Sequence, residues 1–189
     1  MSHAGCGALL SAPTRMPIHG AAPSVSIPYL ETPRLLLRAF RMGDFDAFAA
    51  NLQDPIATTF IRKAERKDAW RIFGCSTGTW ILQGAGWWAV EVRDTGEHVG
   101  TVGAFFREGW PDIEVGWSMY RAFWGRGFAS EAAAEVVRYA FEDRKERRVT
   151  ALIDAANAAS LRVAERVGLV HEADVELWGE PVGRFAKAR

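Results

Sequence analysis

A glycine-rich turn that leads directly into an amphipathic helix limits the possible folds of this chain more than any other part of its sequence. The turn covers residues 124–129 and reads Trp-Gly-Arg-Gly-Phe-Ala. From Phe128 and Ala129 onward, apolar side chains recur every four residues in two adjacent rows, and charged side chains occupy the opposite face. This spacing predicts a helix over residues 128–142 with a wide apolar stripe.

Shorter apolar or alternating runs flank this helix and predict the other elements. Strands are predicted over residues 34–40, 87–93, 98–106, 113–119, 148–154, 169–177 and 182–187. Further helices are predicted over residues 45–52, 65–82 and 157–167. Asp44 is the expected N-cap of the first of these helices, and Gly168 is the expected left-handed C-cap of the last. This order predicts an α/β (α+β) domain with a largely antiparallel sheet.

The charge balance limits the partners that the chain can have. Lysine and arginine number 23, aspartate and glutamate also number 23, and the net charge is therefore zero. This balance argues against bulk electrostatic binding of nucleic acid. No stretch approaches the roughly 18 apolar residues of a membrane span, and the first residues do not resemble a signal peptide. We therefore expect neither membrane nor nucleic acid as a partner.

Cysteine and histidine usage indicates neither a disulfide framework nor a metal site. Cys6 and Cys75 lie far apart and form no metal-binding spacing, which favours a reduced, cytoplasmic protein. The four histidines do not cluster, so we expect no metal. His98 follows a turn and is expected to be exposed.

The first 33 residues differ in character from the rest. They contain five of the eight prolines and show neither helical nor strand periodicity. This composition predicts a flexible tail over residues 1–30 and a single domain over residues 31–189.

The glycine-rich turn also carries the clearest indication of chemistry. Unpaired N–H groups at the start of a helix, together with its positive end, favour an anion, typically a phosphate. Gly125 and Gly127 would let such a ligand approach the backbone, and Arg126 adds a charged donor. A dinucleotide fingerprint needs a third glycine, whereas position 130 is serine, and the lysine of a P-loop is absent. The alternative to an anion site is a turn with a structural role alone, in which Arg126 is solvated.

Three blocks of residues resemble the GNAT N-acetyltransferase superfamily. Residues 124–129 are similar to its acyl-CoA pyrophosphate loop, which is written Gln/Arg-x-x-Gly-x-Gly/Ala. Gly127 and Ala129 fill the last two fixed positions, and Trp124 replaces the usual Gln or Arg. Two further blocks resemble the RimJ/RimL-like branch, which acetylates ribosomal-protein N-termini. One block is residues 31–38. The other lies within residues 157–169 and contains Asn-x-x-Ser followed by Ala-Glu-Arg-Val-Gly-Leu.

This resemblance implies a mixed, mostly antiparallel sheet of six to seven strands with about four helices. The sheet would splay between its fourth and fifth strands, counted from the strand at 34–40. The pantetheine arm of acetyl-CoA would lie in that cleft, and its pyrophosphate would lie on the amides of residues 124–130. The cofactor-binding residues that the resemblance implies are Trp117, Ser118, Met119, Trp124, Gly125, Arg126, Gly127, Phe128, Ala129, Ser130, Asn157 and Arg166.

Glu114 and Ser160 are the candidate catalytic residues. Glu114 stands on the strand before the loop, where many superfamily members place a base. As a base, Glu114 would act through a water molecule. The alternative is a structural ion pair between Glu114 and an arginine such as Arg107. Ser160 stands where some members of the branch have the acid that protonates the thiolate, whereas Ala164 replaces the tyrosine of many other members. Asn157 is expected to contact the pantetheine. Both Asn157 and Ser160 also fit a structural role, because these residue types are common where helices begin.

The sequence therefore predicts an acetyl-CoA-dependent N-acetyltransferase in which a primary amine attacks directly within a ternary complex. A protein or peptide N-terminus is the first expected acceptor, and a small amine or antibiotic is the second. A CoA-binding sensor or interaction module with little turnover is the alternative, and a domain that binds ATP or NAD is a third. The sequence leaves the oligomeric state open, with a homodimer as one option.

Overall fold

A single eight-stranded sheet organises residues 25–189, the part of the chain that this computed structural model describes. The strands are β1 (Leu30–Glu31), β2 (Leu35–Arg38), β3 (Gly86–Val92), β4 (His98–Phe106), β5 (Ile113–Met119), β6 (Arg148–Ile153), β7 (Val170–Leu177) and β8 (Glu180–Ala188). The helices are α1 (Phe45–Gln53), α2 (Arg66–Gln83), α3 (Phe128–Glu142) and α4 (Ala158–Arg166). The predicted flexible tail lies outside the described residues up to position 24 and stays a prediction there.

The strand order is β1-β2-β3-β4-β5-β6-β8-β7, and every neighbouring pair is antiparallel except β5 and β6. The predicted α/β (α+β) class and mostly antiparallel sheet are therefore confirmed. The sheet has one strand more than the six to seven expected, because Leu30 and Glu31 pair with β2. The indole of Trp88 donates to the Pro28 carbonyl at 2.8 Å and anchors the chain just before this short strand.

Asp44 stands at the N-cap position of α1, but its side chain does not cap that helix. Its carboxylate instead accepts hydrogen bonds from the two Nη atoms of Arg38, at 2.7 and 2.9 Å, and from the Arg41 N–H at 2.7 Å. The predicted capping role is therefore wrong. Charge-assisted bonds to the buried guanidinium are stronger than a single bond to a helix N–H, and they fix the carboxylate away from the helix.

The helix α2 runs without a break through Gly74 and Gly78. Each glycine costs a helix roughly 1 kcal/mol relative to alanine. Ala69, Phe73 and Trp80 of the same helix are buried, and their packing outweighs that cost. Within residues 25–189, no helix is both long and apolar enough to cross a bilayer.

The main core lies between α3 and one face of the sheet. Trp88 is fully buried at its centre, edge-on to Trp80 of α2 at 4.6 Å and to Tyr139 of α3 at 5.3 Å between ring centroids. Edge-to-face pairs of this kind add to the burial of apolar area. The apolar stripe of α3 predicted from the sequence faces this core.

The opposite face of the sheet combines aromatic rings with glycines. A Cβ atom built at Gly103 of β4 or Gly116 of β5 would come within 2.6 or 2.8 Å of the Trp87 indole. Trp87 also stacks on Phe105, with centroids 5.1 Å apart. The two glycines therefore allow one indole to lie across two neighbouring strands.

The strands β5 and β6 are parallel and pair only where they begin. Ile113 faces Val149 and Glu114 faces Thr150, and no further pair follows. The edge of β5 over residues 115–119 is thus left without a strand partner on this side. The predicted splay between the fourth and fifth strands, counted from the strand at 34–40, is confirmed.

Candidate functional site

The loop between β5 and α3 presents a row of unpaired backbone donors. Gly125 and Gly127 have φ values of +76° and +79°, in the left-handed region that glycine adopts without steric cost. The helix then begins at Phe128, and no side chain caps it. None of the N–H groups of residues 125–130 donates to an acceptor within the described residues. Such donors at the positive end of a helix form an anion site.

The turn that enters β2 supports this loop from behind. Glu131 accepts hydrogen bonds from Thr32 Oγ1 at 2.6 Å and from the Arg34 backbone N and Nε at 2.9 and 2.6 Å. Arg34 also donates to the Arg126 carbonyl at 3.0 Å, and its guanidinium lies 4.9 Å from the Phe128 ring centre. Burial alone would raise the pKa of Glu131, but the hydrogen bonds from Thr32 and Arg34 lower it below its usual value. The carboxylate is therefore ionised at neutral pH and holds the loop in place.

Two side chains of the loop have different environments. The Trp124 indole is 49% exposed and donates to the Met119 carbonyl at 2.7 Å. This bond ties the loop to the end of β5 and occupies a main-chain acceptor that was expected to face the pantetheine. The Arg126 guanidinium lies 5.2 Å from the Phe123 ring centre and forms no ion pair within residues 25–189. Arg126 is thus available to a bound anion.

The cleft beside β5 is closed on its other side by α4. The Trp117 indole donates to Ser160 Oγ at 3.2 Å. Asn157 caps α4 by accepting from the Ser160 N–H at 3.0 Å. At the other end of α4, Arg166 donates to Ser130 Oγ at 3.3 Å. These contacts join the two walls of the cleft to the start of α3.

The Glu114 side chain points to the face of the sheet opposite to that of Trp117, because side chains alternate along β5. It is buried and forms a bidentate ion pair with Arg107, Nε to Oε2 at 2.7 Å and Nη2 to Oε1 at 2.9 Å. This pair is the ion pair that the sequence allowed as the alternative to a catalytic base. The base role of Glu114 stays a prediction, and a water would have to approach a carboxylate that already has two donors.

Ser118 shares that face with Glu114 and stands apart from the other expected cofactor contacts. Its hydroxyl lies 3.5 Å from Asn51 Nδ2 of α1. Arg121, just beyond β5, forms an ion pair with Asp54 at the end of α1 at 2.7 Å. The helix α1 therefore adjoins the end of β5 on the side away from α4.

His98, Asp44 and Tyr120 form a buried polar cluster near α1 and the end of β5. His98 Nδ1 is 3.5 Å from Asp44 Oδ1 and has no hydrogen-bond partner, while its Nε2 contacts the Gly100 carbonyl at 2.9 Å and the Tyr120 hydroxyl at 3.3 Å. The expectation that His98 is exposed is therefore wrong. Burial lowers the pKa of His98 against the opposing charge of Asp44, and burial raises the pKa of Tyr120.

The structure gathers most of the expected cofactor contacts around one cleft, with Ser118 as the exception. The support of the loop by Arg34 and Glu131 was not predicted from the sequence. The only local sign of it was an acidic residue in the first turn of α3, and this sign was ambiguous because acidic residues favour helix starts for several reasons. Within residues 25–189, no three histidine, cysteine or carboxylate side chains come together as metal ligands.

Comparison with known proteins gives a consistent result. Residues 34–170 match the family described as acetyltransferase (GNAT) domain. The uncharacterized N-acetyltransferase YoaA of Bacillus subtilis is 30% identical over 149 residues, which cover 77% of this chain and 84% of YoaA. The Bacillus subtilis protein YkkB is 34% identical over 106 residues, which cover 55% of this chain and 62% of YkkB, less than two thirds of its length.

Solved structures show the same architecture. An acetyltransferase from Agrobacterium tumefaciens superposes with a TM-score of 0.79 at 28% identity, covering 90% of this chain and 99% of that one. The ribosomal-protein α-N-acetyltransferase RimL, solved in complex with coenzyme A, superposes with a TM-score of 0.71 at 15% identity, over 85% of this chain and 98% of RimL. At that identity the likeness to RimL shows the fold alone.

Proposed function

This chain belongs to the GNAT acetyltransferase family, and from that premise we propose that it transfers the acetyl group of acetyl-CoA to a primary amine. The observation that carries the proposal is the row of unpaired N–H groups over residues 125–130, which lies at the mouth of the only parallel, splayed strand pair within residues 25–189. A pyrophosphate on those amides would leave the pantetheine arm to follow the open edge of β5. Arg126 would add a charge-assisted contact.

The fit of acetyl-CoA is supported by the shape of the backbone. A Cβ at Gly125 would meet nothing within 4 Å, so the space in front of that residue is open. Arg166 and Ser130 close the loop on the α4 side. The bond from Trp124 to the Met119 carbonyl leaves the backbone of Trp117 as the proposed main-chain partner of the pantetheine.

The proposed reaction forms one C–N bond and breaks one C–S bond. The neutral amine attacks the thioester carbonyl, and holding both substrates in one complex supplies much of the acceleration. An α-amino group has a pKa of roughly 8, so little assistance is needed to free its lone pair. Glu114, acting through water, would receive the proton that the amine loses, and Ser160 would give a proton to the departing thiolate.

The acceptor is proposed to be a protein or peptide N-terminus first, and a small amine second. The name of RimL states a ribosomal-protein acceptor for that enzyme, and the sequence blocks that resemble the RimJ/RimL-like branch support the same acceptor class here. Acceptor walls vary independently of the cofactor site, so fold by itself does not select among amines. The reduced cytoplasm is the proposed compartment, and a homodimer is one option for the oligomeric state.

A CoA-binding sensor with little turnover is the second candidate. It is favoured by one observation, the bidentate pairing of Glu114 with Arg107, which leaves this carboxylate less free to act as a base. A sensor would bind CoA or acetyl-CoA and release no thiol when an amine is added.

The deciding experiment is a thermal-melt titration with acetyl-CoA, CoA, ATP and NAD, followed by a free-thiol assay with an amine panel. A ligand at about 100 times its Kd adds roughly 2.7 kcal/mol, which for a chain of this size raises Tm by roughly 5 to 10 °C. We expect that shift with both CoA species only, and thiol release that depends on the amine. A shift with ATP or NAD alone would contradict the proposal.

A matched pair of variants locates the phosphate site. Gly125→Asp with Gly127→Asp places two negative charges on the loop and should abolish the CoA-dependent rise in Tm. Gly109→Asp is the control, because Gly109 also has a positive φ of +79° and open space around it but lies at the other end of β5. Equal CoA affinity in the loop variant and the control would refute the assignment.

A further inference from the structure

Arg107 and the turn between β7 and β8 form a cluster that the proposed reaction does not use. We propose that Arg107 binds a carboxylate carried by the acceptor close to its reacting amine, so that the preferred substrate is an amino acid or a short acidic N-terminal segment. This inference rests on the proposed function, because it concerns the acceptor of the same acetyl transfer.

The guanidinium of Arg107 is held on one edge and open on the other. Its Nε and Nη2 atoms donate to Glu114, whereas its Nη1 atom has no acceptor within residues 25–189. A guanidinium is always charged and carries five donors in one plane. The edge that includes Nη1 can therefore bind a second carboxylate while the bond to Glu114 stays in place.

Two aromatic rings hold the plane of this guanidinium. The Cζ atom of Arg107 lies 5.8 Å from the Phe105 ring centre and 5.6 Å from the Trp178 ring centre. Phe105 is itself stacked on Trp87. Restraint of this kind lowers the entropy cost of binding an anion. Arg107 is thus arranged as a binding group rather than as a freely moving surface charge.

Trp178 is the least expected part of the cluster. It occupies the turn between β7 and β8, is 74% exposed, and has a φ of +55°. Two-residue hairpin turns of this kind need a positive φ at both central positions, where asparagine, aspartate or glycine is usual, so the turn geometry does not itself call for an indole. The turn places this indole above Arg107, where it forms an outer wall for a ligand.

The charges favour an acceptor that carries both signs. Glu114 and Arg107 together are neutral and present a negative end and a positive end side by side. An ammonium group near Glu114 and a carboxylate near the Arg107 Nη1 atom would complement both ends. A simple alkylamine would satisfy only the carboxylate of Glu114, and the charge of Arg107 would remain without a ligand partner.

The test compares matched acceptors: an amino acid with its primary amide, and a dipeptide whose second residue is acidic with one whose second residue is neutral. The ratio of kcat/KM between the members of each pair is the readout. We expect wild-type protein to favour the carboxylate-bearing member at least about tenfold, mainly through KM, as is typical of hydrogen bonds between charged groups. Preference within the first pair alone identifies a free amino acid, and preference within the second identifies a peptide.

Variants assign the preference to this cluster. Arg107→Lys keeps the positive charge beside the buried Glu114 but loses the planar second edge, and it should bring the ratio to within about threefold of one. Trp178→Leu leaves the ion pair untouched and should lower the ratio severalfold. Arg71→Gln is the control, because Arg71 forms an exposed pair with Asp68 on α2, and it should keep the wild-type ratio.

The outcomes separate the two proposals. Equal use of both members in each of the two pairs by wild-type protein, or an unchanged ratio in Arg107→Lys, overturns the carboxylate site and leaves acetyl transfer standing. Bound acetyl-CoA without transfer to any amine overturns the proposed function, and the acceptor inference falls with it.

Discussion

The indole Nε1 of Trp117 lies 3.2 Å from Oγ of Ser160, and this hydrogen bond joins the two walls of the cleft between β5 and α4. An indole N–H can only donate, so the serine oxygen accepts and its own proton stays available. The backbone N–H of the same serine is bound by Asn157. Ser160 is therefore positioned from two directions and keeps its hydroxyl proton as a free donor, which the proposed acid role needs.

The first prediction concerns this donor. Ser160→Ala removes the hydroxyl but keeps the backbone N–H that Asn157 accepts, so α4 should remain capped. We expect kcat to fall about a hundredfold, the low end of general acid catalysis, with the Kd of acetyl-CoA changed less than about threefold. Steady-state thiol release and calorimetric binding measure the two quantities.

Trp117→Phe serves as the comparison, because it removes the bond that orients the hydroxyl but not the hydroxyl itself. It should lower kcat by a smaller factor than Ser160→Ala. Full turnover in Ser160→Ala would leave Ser160 with a structural role alone.

The second prediction separates a base from a structural carboxylate at Glu114. Glu114→Gln keeps the size of the side chain and one acceptor for Arg107. If Glu114 receives the proton of the amine, the rate lost in the variant should be largest at pH 6.5 to 7 and should shrink as the pH rises past the amine pKa of roughly 8, where the amine is already neutral. The ratio of wild-type to variant kcat/KM between pH 6.5 and 9.5 is the measurement, and a constant ratio would assign Glu114 to positioning.

Elements with a repeating side-chain pattern were predictable from the sequence. The apolar rows of α3 reflect one local rule, that one face of the helix is buried, and this rule holds whatever the neighbours are. The strands β3, β4 and β5 were predictable as short apolar runs bounded by turn residues, although β4 is buried on both faces over residues 99–104. The loop at 124–129 was also predictable, because positive φ and close approach to the backbone both require glycine at defined positions.

Contacts between distant parts of the chain were not predictable. Thr32 and Arg34 meet Glu131 almost a hundred positions later, and no local pattern encodes that pairing. Asp44 was assigned to a helix cap because its local context fits one, but Arg38 competes for the same carboxylate. Local propensity decides such a residue only when no buried partner of opposite charge is within reach.

The third prediction tests the packing of Trp87 on the glycines. Gly116→Ala places a Cβ about 2.8 Å from the indole, so the ring must move, and overpacking typically costs 1–3 kcal/mol. In a Trp87→Leu background the same substitution should cost much less, because the ring is gone. A double-mutant cycle by urea unfolding should therefore give a coupling energy of at least about 1 kcal/mol. Additive effects of the two substitutions would show that the indole does not depend on the glycine.

The last prediction concerns His98 and pH. Burial lowers the pKa of His98 below its usual 6.5, despite the opposing charge of Asp44. The unfolded chain therefore binds a proton at this residue at a higher pH than the folded protein does. Stability is fully present above roughly pH 6.5 and is lost as the pH falls through the lowered folded pKa, with a slope of at most about 1.4 kcal/mol per pH unit. Burial opposes ionisation of Asp44, but hydrogen bonds from Arg38 and Arg41 lower the pKa of this carboxyl below its usual value. Asp44 therefore stays ionised in this pH range.

Urea unfolding at pH 7.5 and pH 5.0 measures the effect. Wild-type protein should lose stability at the lower pH, and His98→Gln should lose clearly less, since its side chain does not titrate. His171→Gln is the matched control, because that histidine is half exposed and pairs with Asp174 on the edge strand, and it should retain the wild-type loss. The same loss of stability in His98→Gln as in wild-type protein would assign the acid sensitivity to other groups.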